Sequence, residues 1–395
     1  MLAPSSVEFD EKILQQGAEI SRRLNQLRLE KFPPNAQKTL RRFSMAEAAH
    51  YLGVSPNNLK RLHLEGKGPE PLVVGGGRRF YTAEQMSEIR QYLDKNGRSD
   101  AKKYVPHRKP GEALQVVAVV NFKGGSGKTT TAAHLGQHLA LTGHRVLIID
   151  LDPQASLSAL HGFQPELDKN LSLYDAIRYG TDRKPIREVI QPTNFPFLDI
   201  IPANLELQEY EYETPLAMQG SQEGKRFFTR LASALQDTEA VYDVVVIDCP
   251  PQLGYLTLTA LTAATSVLIT VHPQMLDLMS MSQFLLMLGS VMKSIKNAGA
   301  AVHIDWLRYL ITRYEPTDVP QAQMLGFMQS MLAEDILRNP MLKSTAISDA
   351  GLTKQTLYEV ERSNFNHQTY DRAIECMDAV NFEIQVLIHR AWGRM

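Results

Sequence analysis

The chain has 395 residues, 44% of them hydrophobic and 22% charged, with a net charge of −1. This length predicts two or more domains and a sizeable core. Its two cysteines, Cys249 and Cys376, exclude a disulfide framework and favour a reducing cytoplasm, and the lack of a continuous run of about 18 apolar residues argues against a membrane span.

Residues 1–35 predict an N-terminal helix with a possible role in dimerisation. The segment from Glu8 to Arg28 is compatible with a helix whose small and apolar residues alternate at heptad spacing: Ile13, Gly17, Ile20, Leu24 and Leu27. Three heptads are short for a stable coiled coil alone. The stripe is therefore expected to pack either on a partner chain or on the next domain of its own chain.

Residues 36–95 predict a winged helix-turn-helix domain. Ser44 and Glu47 are placed as a capping box for one short helix. After a turn at Gly53, Ser55 and Pro56 start a second. Two such helices are typical of a DNA-binding motif whose second helix enters the major groove. The candidate DNA contacts on this helix are Ser55, Asn57, Asn58, Lys60 and Arg61.

A glycine triplet at 75–77, followed by Arg78 and Arg79, resembles the wing of a MerR-like winged helix. Arginines on such a tip suit contacts to phosphate or the minor groove. Residues 36–112 contain fifteen Lys/Arg and eight Asp/Glu, which points to a nucleic-acid partner. The alternative is a helical spacer with solvated charges. Residues 96–112 form a basic linker.

A phosphate-binding loop is predicted at residues 123–129, which read Lys-Gly-Gly-Ser-Gly-Lys-Thr between an apolar run and a helical pattern. Glycines let backbone N–H groups approach phosphate, and the helix N-terminus adds partial positive charge. Lys128 is placed to reach the β/γ-phosphates and Thr129 to bind Mg²⁺, so the expected cofactors are ATP or ADP with Mg²⁺. The expected nucleotide contacts are Lys123, Gly124, Gly125, Ser126, Gly127, Lys128, Thr129 and Thr130.

Phe122 stands where the ordinary motif has glycine, and Lys123 follows it. With this early lysine the loop resembles the deviant Walker A family, which includes the ParA and Soj partition ATPases, MinD and the nitrogenase iron protein. The resemblance implies that Lys123 crosses a homodimer interface to the partner's nucleotide. ATP binding and dimerisation would then be one event, and both Lys123 and Lys128 would be catalytic.

Two further apolar runs end in aspartate: one precedes Asp150 and Asp152, the other Asp248. The carboxyl ends of parallel strands carry the chemistry of open α/β sheets. Asp248 fits a Walker B residue directed towards Mg²⁺, usually through water. The DLDPQ and DCPP stretches resemble the partition ATPases, which implies that Asp152 positions the attacking water and that Asp150 lies nearer the metal. The alternative is that an aspartate only caps a turn or helix.

Residues 113–395 predict an α/β domain with a largely parallel, doubly wound sheet. Apolar strand candidates alternate with helical patterns. The strands are expected at 116–120, 145–149, 198–201, 243–247, 266–271 and 307–312, and the helices at 130–142, 224–236 and 279–296. The resemblance places Pro273 beside the adenine. The apolar segment 381–392 is expected to be a core helix; a MinD-like membrane helix is the alternative.

Taken over nearly the whole chain, the resemblance is to plasmid partition ATPases of the large ParA class, including RepA-like proteins. It implies slow Mg²⁺-dependent ATP hydrolysis linked to dimer state, to operator and non-specific DNA binding, and to a ParB-like centromere-binding protein. It also implies repression of the protein's own operon through the winged helix and a cytoplasmic, nucleoid-associated location without a membrane. The alternatives are a nucleotide-switched transcriptional regulator and a MinD-like membrane-cycling ATPase.

Overall fold

The computed structural model describes residues 9–31, 38–97, 104–164 and 171–394. The chain divides into two compact units, residues 1–39 and residues 40–395. The first carries one described helix, α1 (Phe9–Lys31), and the second carries the other elements described below.

Helix α1 is supported by its own charges. Glu19 forms ion pairs with Arg22 at 2.8 Å and Arg23 at 2.6 Å, the spacing at which opposite charges support an isolated helix. Its apolar side chains include the exposed Ile13 and Ile20. The side chains of Leu24 and Leu27 lie outside the described residues, so the pairing of this helix stays a prediction.

The winged helix comprises three strands and three helices: β1 (Phe43–Ser44), α2 (Met45–Leu52), α3 (Pro56–Leu64), β2 (Leu72–Val74), β3 (Arg78–Tyr81) and α4 (Ala83–Lys95). The strands form an antiparallel sheet in the order β1–β3–β2. The capping box of Ser44 and Glu47 is confirmed, and Gly53 ends α2 with a φ of 64°. Strand β1 has no sequence signal, because two residues are too short to show alternation.

A seven-stranded sheet forms the centre of the larger domain. Its strands are β4 (Gln115–Val120), β5 (Val146–Asp150), β6 (Gln191–Pro192), β7 (Leu198–Ile201), β8 (Val244–Asp248), β9 (Ser266–Val271) and β10 (Trp306–Ile311). Their order is β10–β9–β4–β8–β5–β7–β6, and each pairing is parallel except that of β6 with β7. The predicted largely parallel sheet is confirmed.

Helices cover both faces of this sheet. They are α5 (Lys128–Leu141), α6 (Ser156–Leu160), α7 (Leu173–Ile177), α8 (Ile186–Val189), α9 (Leu207–Gly220), α10 (Gln222–Lys225), α11 (Arg230–Gln236), α12 (Tyr255–Ala263), α13 (Met275–Asn297), α14 (Val319–Leu332), α15 (Thr345–Leu352) and α16 (His367–Ala391). Alternate residues of β4 enter two cores: one contains α5, α15 and α16, and the other contains α7, α9, α12 and α13. Strands buried on both faces explain the continuous apolar runs in the sequence.

The segment predicted as one helix over 224–236 is broken into α10, a single 3₁₀ turn and α11. Gly224 lies so close to α9 that a Cβ there would be 2.1 Å from the carbonyl carbon of Ala217. Phe227 and Phe228 are buried in a small separate cluster. Tertiary packing of these rings therefore overrides the local helical pattern.

Two apolar helices pack on the sheet. Ile384 and Ile388 of α16 are buried in the first core, as expected for a core helix. Among the described helices, α13 is long and apolar enough to cross a membrane by length and composition alone. Its Leu278 and Phe284 are buried in the second core, and Asp277 interrupts its apolar sequence.

The winged helix packs directly on α5 and α16 within the first core. The ring of Tyr51 from α2 lies edge-on to the ring of His138 in α5, with centroids 6.3 Å apart. The end of the linker is also fixed, because Arg394 donates hydrogen bonds to the carbonyls of Pro106 and His107 at 2.8 Å. The winged-helix domain and the α/β domain therefore share one continuous core.

Candidate functional site

The predicted phosphate-binding loop lies between the end of β4 and the start of α5. Gly125 and Gly127 have φ values of 74° and 87°, in the left-handed region that favours glycine. A Cβ at Gly127 would also lie 3.4 Å from the side chain of Thr312. The backbone path of the loop therefore requires glycine at these positions.

Residues at the ends of β9 and β10 brace this loop. The Thr270 hydroxyl donates to Ser126 Oγ at 3.0 Å, and the Thr312 hydroxyl donates to the Ser126 carbonyl at 2.7 Å. Arg313, which has a positive φ of 53°, donates to the carbonyl of Gly125 at 3.2 Å. The sequence pattern does not reveal these three residues, because the sheet order alone brings them to the loop.

Lys128 is buried inside the loop, with 7% of its surface exposed. Its ammonium donates to the carbonyl of Lys123 at 3.3 Å. Burial lowers the pKa of Lys128, and the nearby carboxylates of Asp248 and Asp152 act in the opposite direction. The loop thus holds one cation where phosphate charge is expected.

Asp248 ends β8 and lies in register with Asp150 on the neighbouring strand β5. Both carboxylate oxygens of Asp248 are buried without a well-formed hydrogen bond from the described residues, and the hydroxyl of Thr129 lies beside them. Burial first, and then the charge of Asp150, raise the pKa of Asp248 well above its ordinary value. A buried carboxylate that is so sparsely hydrogen-bonded, beside a threonine hydroxyl and a phosphate loop, suits a hydrated divalent cation.

The described residues contain no cluster of three or more His, Cys, Asp or Glu side chains that could hold a metal alone. Magnesium is ordinarily held by one or two protein oxygens together with phosphates and water. Asp248 and Thr129 fit this donor set. Their role as metal ligands stays a prediction.

Asp150 is occupied by donors of its own chain. Its Oδ2 accepts from the backbone N–H and the hydroxyl of Ser158 at 2.8 and 2.7 Å, and its Oδ1 accepts from the N–H of Asp152 at 3.2 Å. Burial raises the pKa of Asp150 to about 7 despite these hydrogen bonds. Asp150 therefore holds the following loop in place, and a metal role for it stays a prediction. Ser158 is a partner that the sequence did not indicate.

Asp152 lies at the same carboxyl edge of the sheet and is partly exposed. Its Oδ1 accepts from the N–H of Gln154 at 3.0 Å, which is a local turn. Its Oδ2 accepts no hydrogen bond from the described part of the chain. This geometry is compatible with both roles considered above: one oxygen of Asp152 forms a turn, and the other is available to hold a water molecule.

Lys123 does not enter its own loop. Its Nζ lies 2.6 Å from Oδ2 of Asp277 in the first turn of α13. The lysine side chain is 45% exposed, whereas that of Asp277 is 5% exposed. The two lysines of the motif thus occupy different environments, one inside the loop and one on its outer side.

Three further predicted nucleotide contacts differ in their exposure. Pro273 is buried just after β9, and its adenine contact stays a prediction. Gly124 is exposed, and Thr130 is partly exposed in the first turn of α5. The nucleotide contacts of these residues are likewise predictions.

The helix-turn-helix presents its second helix, α3, with a polar exposed face. The Ser55 hydroxyl accepts from the N–H of Asn58 and caps the helix, so it is engaged in structure. Asn57, Lys60 and Arg61 are exposed. Arg61 donates to Asn58 Oδ1 at 3.1 Å.

On the wing, β2 pairs with β3 so that Val74 faces Arg78 and Val73 faces Arg79. Arg78 is exposed. Arg79 is partly buried, and its Nε is shielded from solvent without a hydrogen-bond partner among the described residues. Arg78 is therefore the more exposed of the two arginines, and its Nε donates to the carbonyl of Gly75 at 3.4 Å.

Comparison with known proteins identifies both modules. A family model described as an AAA domain matches residues 114–300, and one described as a MerR HTH family regulatory protein matches residues 43–93. A putative replication protein A of Sinorhizobium fredii is 66% identical over 396 residues, which cover 100% of this chain and 97% of that protein.

Protein SopA of Escherichia coli is 30% identical over 339 residues, covering 82% of each chain. A solved partition protein has a TM-score of 0.54 at 19% identity, covers 92% of this chain and 98% of its own, and shows the same fold. The chain belongs to the ParA-type family of partition ATPases, in the form that carries a MerR-like helix-turn-helix domain ahead of a P-loop ATPase domain.

Proposed function

We propose that the chain is a Mg²⁺-dependent plasmid partition ATPase that forms a homodimer on binding ATP. It binds DNA at its operator and non-specifically, represses its own operon, and acts with a ParB-like centromere-binding protein on the nucleoid in the cytoplasm. The observation that carries the proposal is the separation of the two lysines. Lys128 is buried within the loop, whereas Lys123 is half exposed on its outer side, where a second chain has access to it.

The residues of the loop divide the work of phosphoryl transfer. Bound Mg²⁺ supplies positive charge that stabilises the phosphates during hydrolysis. Lys128 and the N–H groups at the start of α5 attract the phosphates, Asp248 and Thr129 orient the hydrated metal, and Asp152 accepts a hydrogen bond from the attacking water. Lys123 of the partner chain adds the last charge, so hydrolysis requires two chains.

The DNA function is supported by the exposed polar face of α3 and by the wing, where the exposed guanidinium of Arg78 is accessible to phosphate. A second function, that of a nucleotide-switched transcriptional regulator, is favoured by the direct packing of the winged helix on α5. ATP hydrolysis that is stimulated by DNA and by a ParB-like protein supports partition. A rate that neither addition changes favours the regulator.

The test of the shared site uses two inactive variants. Lys123→Ala keeps Lys128, and Lys128→Ala keeps Lys123. If each site draws Lys128 from one chain and Lys123 from the other, mixing the two variants creates heterodimers with one complete site. We expect each variant alone to lose most hydrolysis and part of it to return on mixing.

Lys293→Ala, which removes an exposed lysine from α13, is the matched control and should hydrolyse ATP normally. Lys123→Ala should also retain ADP binding in calorimetry, because its own Lys128 is intact. Full activity of Lys123→Ala by itself would contradict a lysine acting across the interface.

A further inference from the structure

The contact between Lys123 and Asp277 joins residues 154 positions apart in the chain. Asp277 lies in the first turn of α13, just beyond the carboxyl end of β9. Its side chain is almost fully buried, at 5% exposure, and its Oδ2 lies 2.6 Å from the Lys123 ammonium. Within the described ranges, Lys123 is the one cationic side chain that forms an ion pair with Asp277.

Separating this pair has unequal consequences for its two members. Lys123 is half exposed and would be solvated when released. Asp277 would remain a nearly buried carboxylate without its cation, and an uncompensated buried charge is strongly unfavourable. Lys123 therefore leaves Asp277 only when another anion offers it a stronger interaction.

We propose that Asp277 is a positioning residue that retains Lys123 within its own chain, so that the lysine crosses to a partner only when a nucleoside triphosphate offers more negative charge than a diphosphate. This inference rests on the proposed role of Lys123 across the homodimer. It adds to that role a source of nucleotide selectivity. Asp277 competes with the phosphates for one cation, and the extra charge of the γ-phosphate decides the competition.

The consequence is a threshold for dimerisation. Each homodimer must break two Lys123–Asp277 pairs, one in each chain. Removing the carboxylate charge of Asp277 removes the cost of breaking these pairs, so dimerisation should become easier and less selective for the triphosphate. If instead Asp277 stays with Lys123 in the dimer and orients it there, removing the charge should weaken dimerisation. The two models therefore predict opposite changes in dimerisation when the charge of Asp277 is removed.

The principal variant is Asp277→Asn, and Asp277→Glu is its charge-retaining counterpart. Sedimentation would measure the monomer–dimer equilibrium with Mg²⁺ and either the non-hydrolysable triphosphate AMPPNP or ADP. We expect Asp277→Asn to dimerise in AMPPNP at about tenfold lower protein concentration than the unmodified protein, equivalent to about 1.4 kcal/mol over the two pairs of the dimer. The difference in dimerisation between AMPPNP and ADP should become smaller in Asp277→Asn. Asp277→Glu, which keeps the charge, should restore this difference.

Glu315→Gln is the matched control. Glu315 follows β10, the parallel neighbour of β9, and its carboxylate pairs with Lys343 at 2.8 Å. This variant removes one negative charge without touching Lys123, so its dimerisation should match that of the unmodified protein. If Glu315→Gln and Asp277→Asn increased dimerisation equally, the effect would be explained by net charge alone and the proposal would be overturned.

A second measurement requires no dimer. Mass spectrometry would follow the rate at which a water-soluble acylating reagent modifies each lysine in the nucleotide-free monomer. Asp277→Asn should speed modification of Lys123 but not of Lys343, and Glu315→Gln should do the reverse. Unchanged reactivity of Lys123 in Asp277→Asn would overturn the retention model even if that variant dimerised poorly.

The outcomes separate this inference from the function on which it rests. If the unmodified protein forms no dimer in AMPPNP, the proposed homodimer is wrong and this inference is wrong with it. If the unmodified protein dimerises and Asp277→Asn dimerises equally or more weakly, the homodimer stands and the retention by Asp277 is refuted. In a chain that already carries Lys123→Gln, adding Asp277→Asn should not increase dimerisation further, because Asp277 acts through Lys123.

Discussion

The guanidinium of Arg90 donates a hydrogen bond of 3.1 Å to the carbonyl of Leu141, the last residue of the helix that begins at Lys128. It also donates to the carbonyls of Tyr51 in α2 and Tyr104 in the linker, at 2.8 and 3.1 Å. Carbonyls at a helix C-terminus lack intrahelical donors and carry partial negative charge. One buried arginine of the winged helix therefore closes the far end of the phosphate-loop helix.

Replacing Arg90 with methionine should destabilise the junction between the two modules. Burial lowers the pKa of Arg90 to about 10, so the group is still charged at neutral pH. Methionine fills similar space but leaves three carbonyls without this donor, which should lower the free energy of unfolding by about 2–3 kcal/mol. Urea denaturation would measure the change. Arg78→Met on the exposed wing should leave the midpoint unchanged, and an unchanged midpoint for Arg90→Met would show that water replaces the guanidinium.

Stability should fall as the pH drops from 7 to 5, because His134 is held neutral in the fold. Its Nδ1 lies 2.7 Å from the carbonyl of Thr130, and its Nε2 accepts from the N–H of Leu357 at 3.2 Å. Both nitrogens are thus occupied in the neutral ring, and burial lowers the pKa of His134 to about 4. The unfolded chain, with a pKa near 6.5, binds more protons between these values.

Unfolding is therefore favoured as the pH falls through 6.5, by about 2 kcal/mol at pH 5 for one such ring, and the effect vanishes above about pH 7. His134→Gln should make the pH dependence of the thermal midpoint less steep. His367→Gln, at the exposed start of α16, is the control and should keep the original slope. Parallel curves for His134→Gln and the unmodified protein would contradict a neutral buried ring.

Local sequence patterns were sufficient for the main strands and the glycine loop. Apolar runs located the main parallel strands: Lys128 lies beyond the end of β4, and Asp248 ends the neighbouring strand β8. The braces of the loop were not predictable, since Thr312 is 186 residues from Ser126 and meets it only through the strand order. Short polar contacts of this kind leave no periodic signal.

The partner of Lys123 was hidden for the same reason. An aspartate in the first turn of an apolar helix ordinarily indicates a favourable helix start, which gives it a sufficient local explanation. Its pairing with a lysine in the loop after β4 depends on the adjacency of β4 and β9. Likewise, the pattern that predicted a metal role for Asp150 could not reveal that Ser158 supplies it with two donors.

Asp152→Asn should separate the two roles of this side chain. The amide oxygen can still accept the turn hydrogen bond from Gln154, so the local backbone should be kept. The variant loses the carboxylate charge that would hold the attacking water, and we expect ATP turnover to fall by about 100-fold or more while ATP binding is retained. Steady-state hydrolysis and calorimetry would measure the two effects. Turnover close to that of the unmodified protein would assign Asp152 to the turn alone.

Replacing the wing arginines should weaken operator binding through lost phosphate contacts. Arg78 is exposed at the start of β3, whereas Arg79 is partly buried. Each lost phosphate contact removes about one unit from the slope of log affinity against log salt. Arg78→Gln should therefore reduce the slope by about one, and the double variant Arg78→Gln/Arg79→Gln by about one to two.

Fluorescence anisotropy with operator DNA over a range of salt concentrations would measure these slopes. Arg183→Gln, an exposed arginine between α7 and α8 that pairs with Glu223, is the control for net charge and should keep the original slope. ATP hydrolysis without DNA should be unaffected in all of these variants, because the wing does not form part of the phosphate loop. Equal loss of hydrolysis and DNA binding would indicate misfolding, and an unchanged slope in the double variant would remove the wing from the DNA interface.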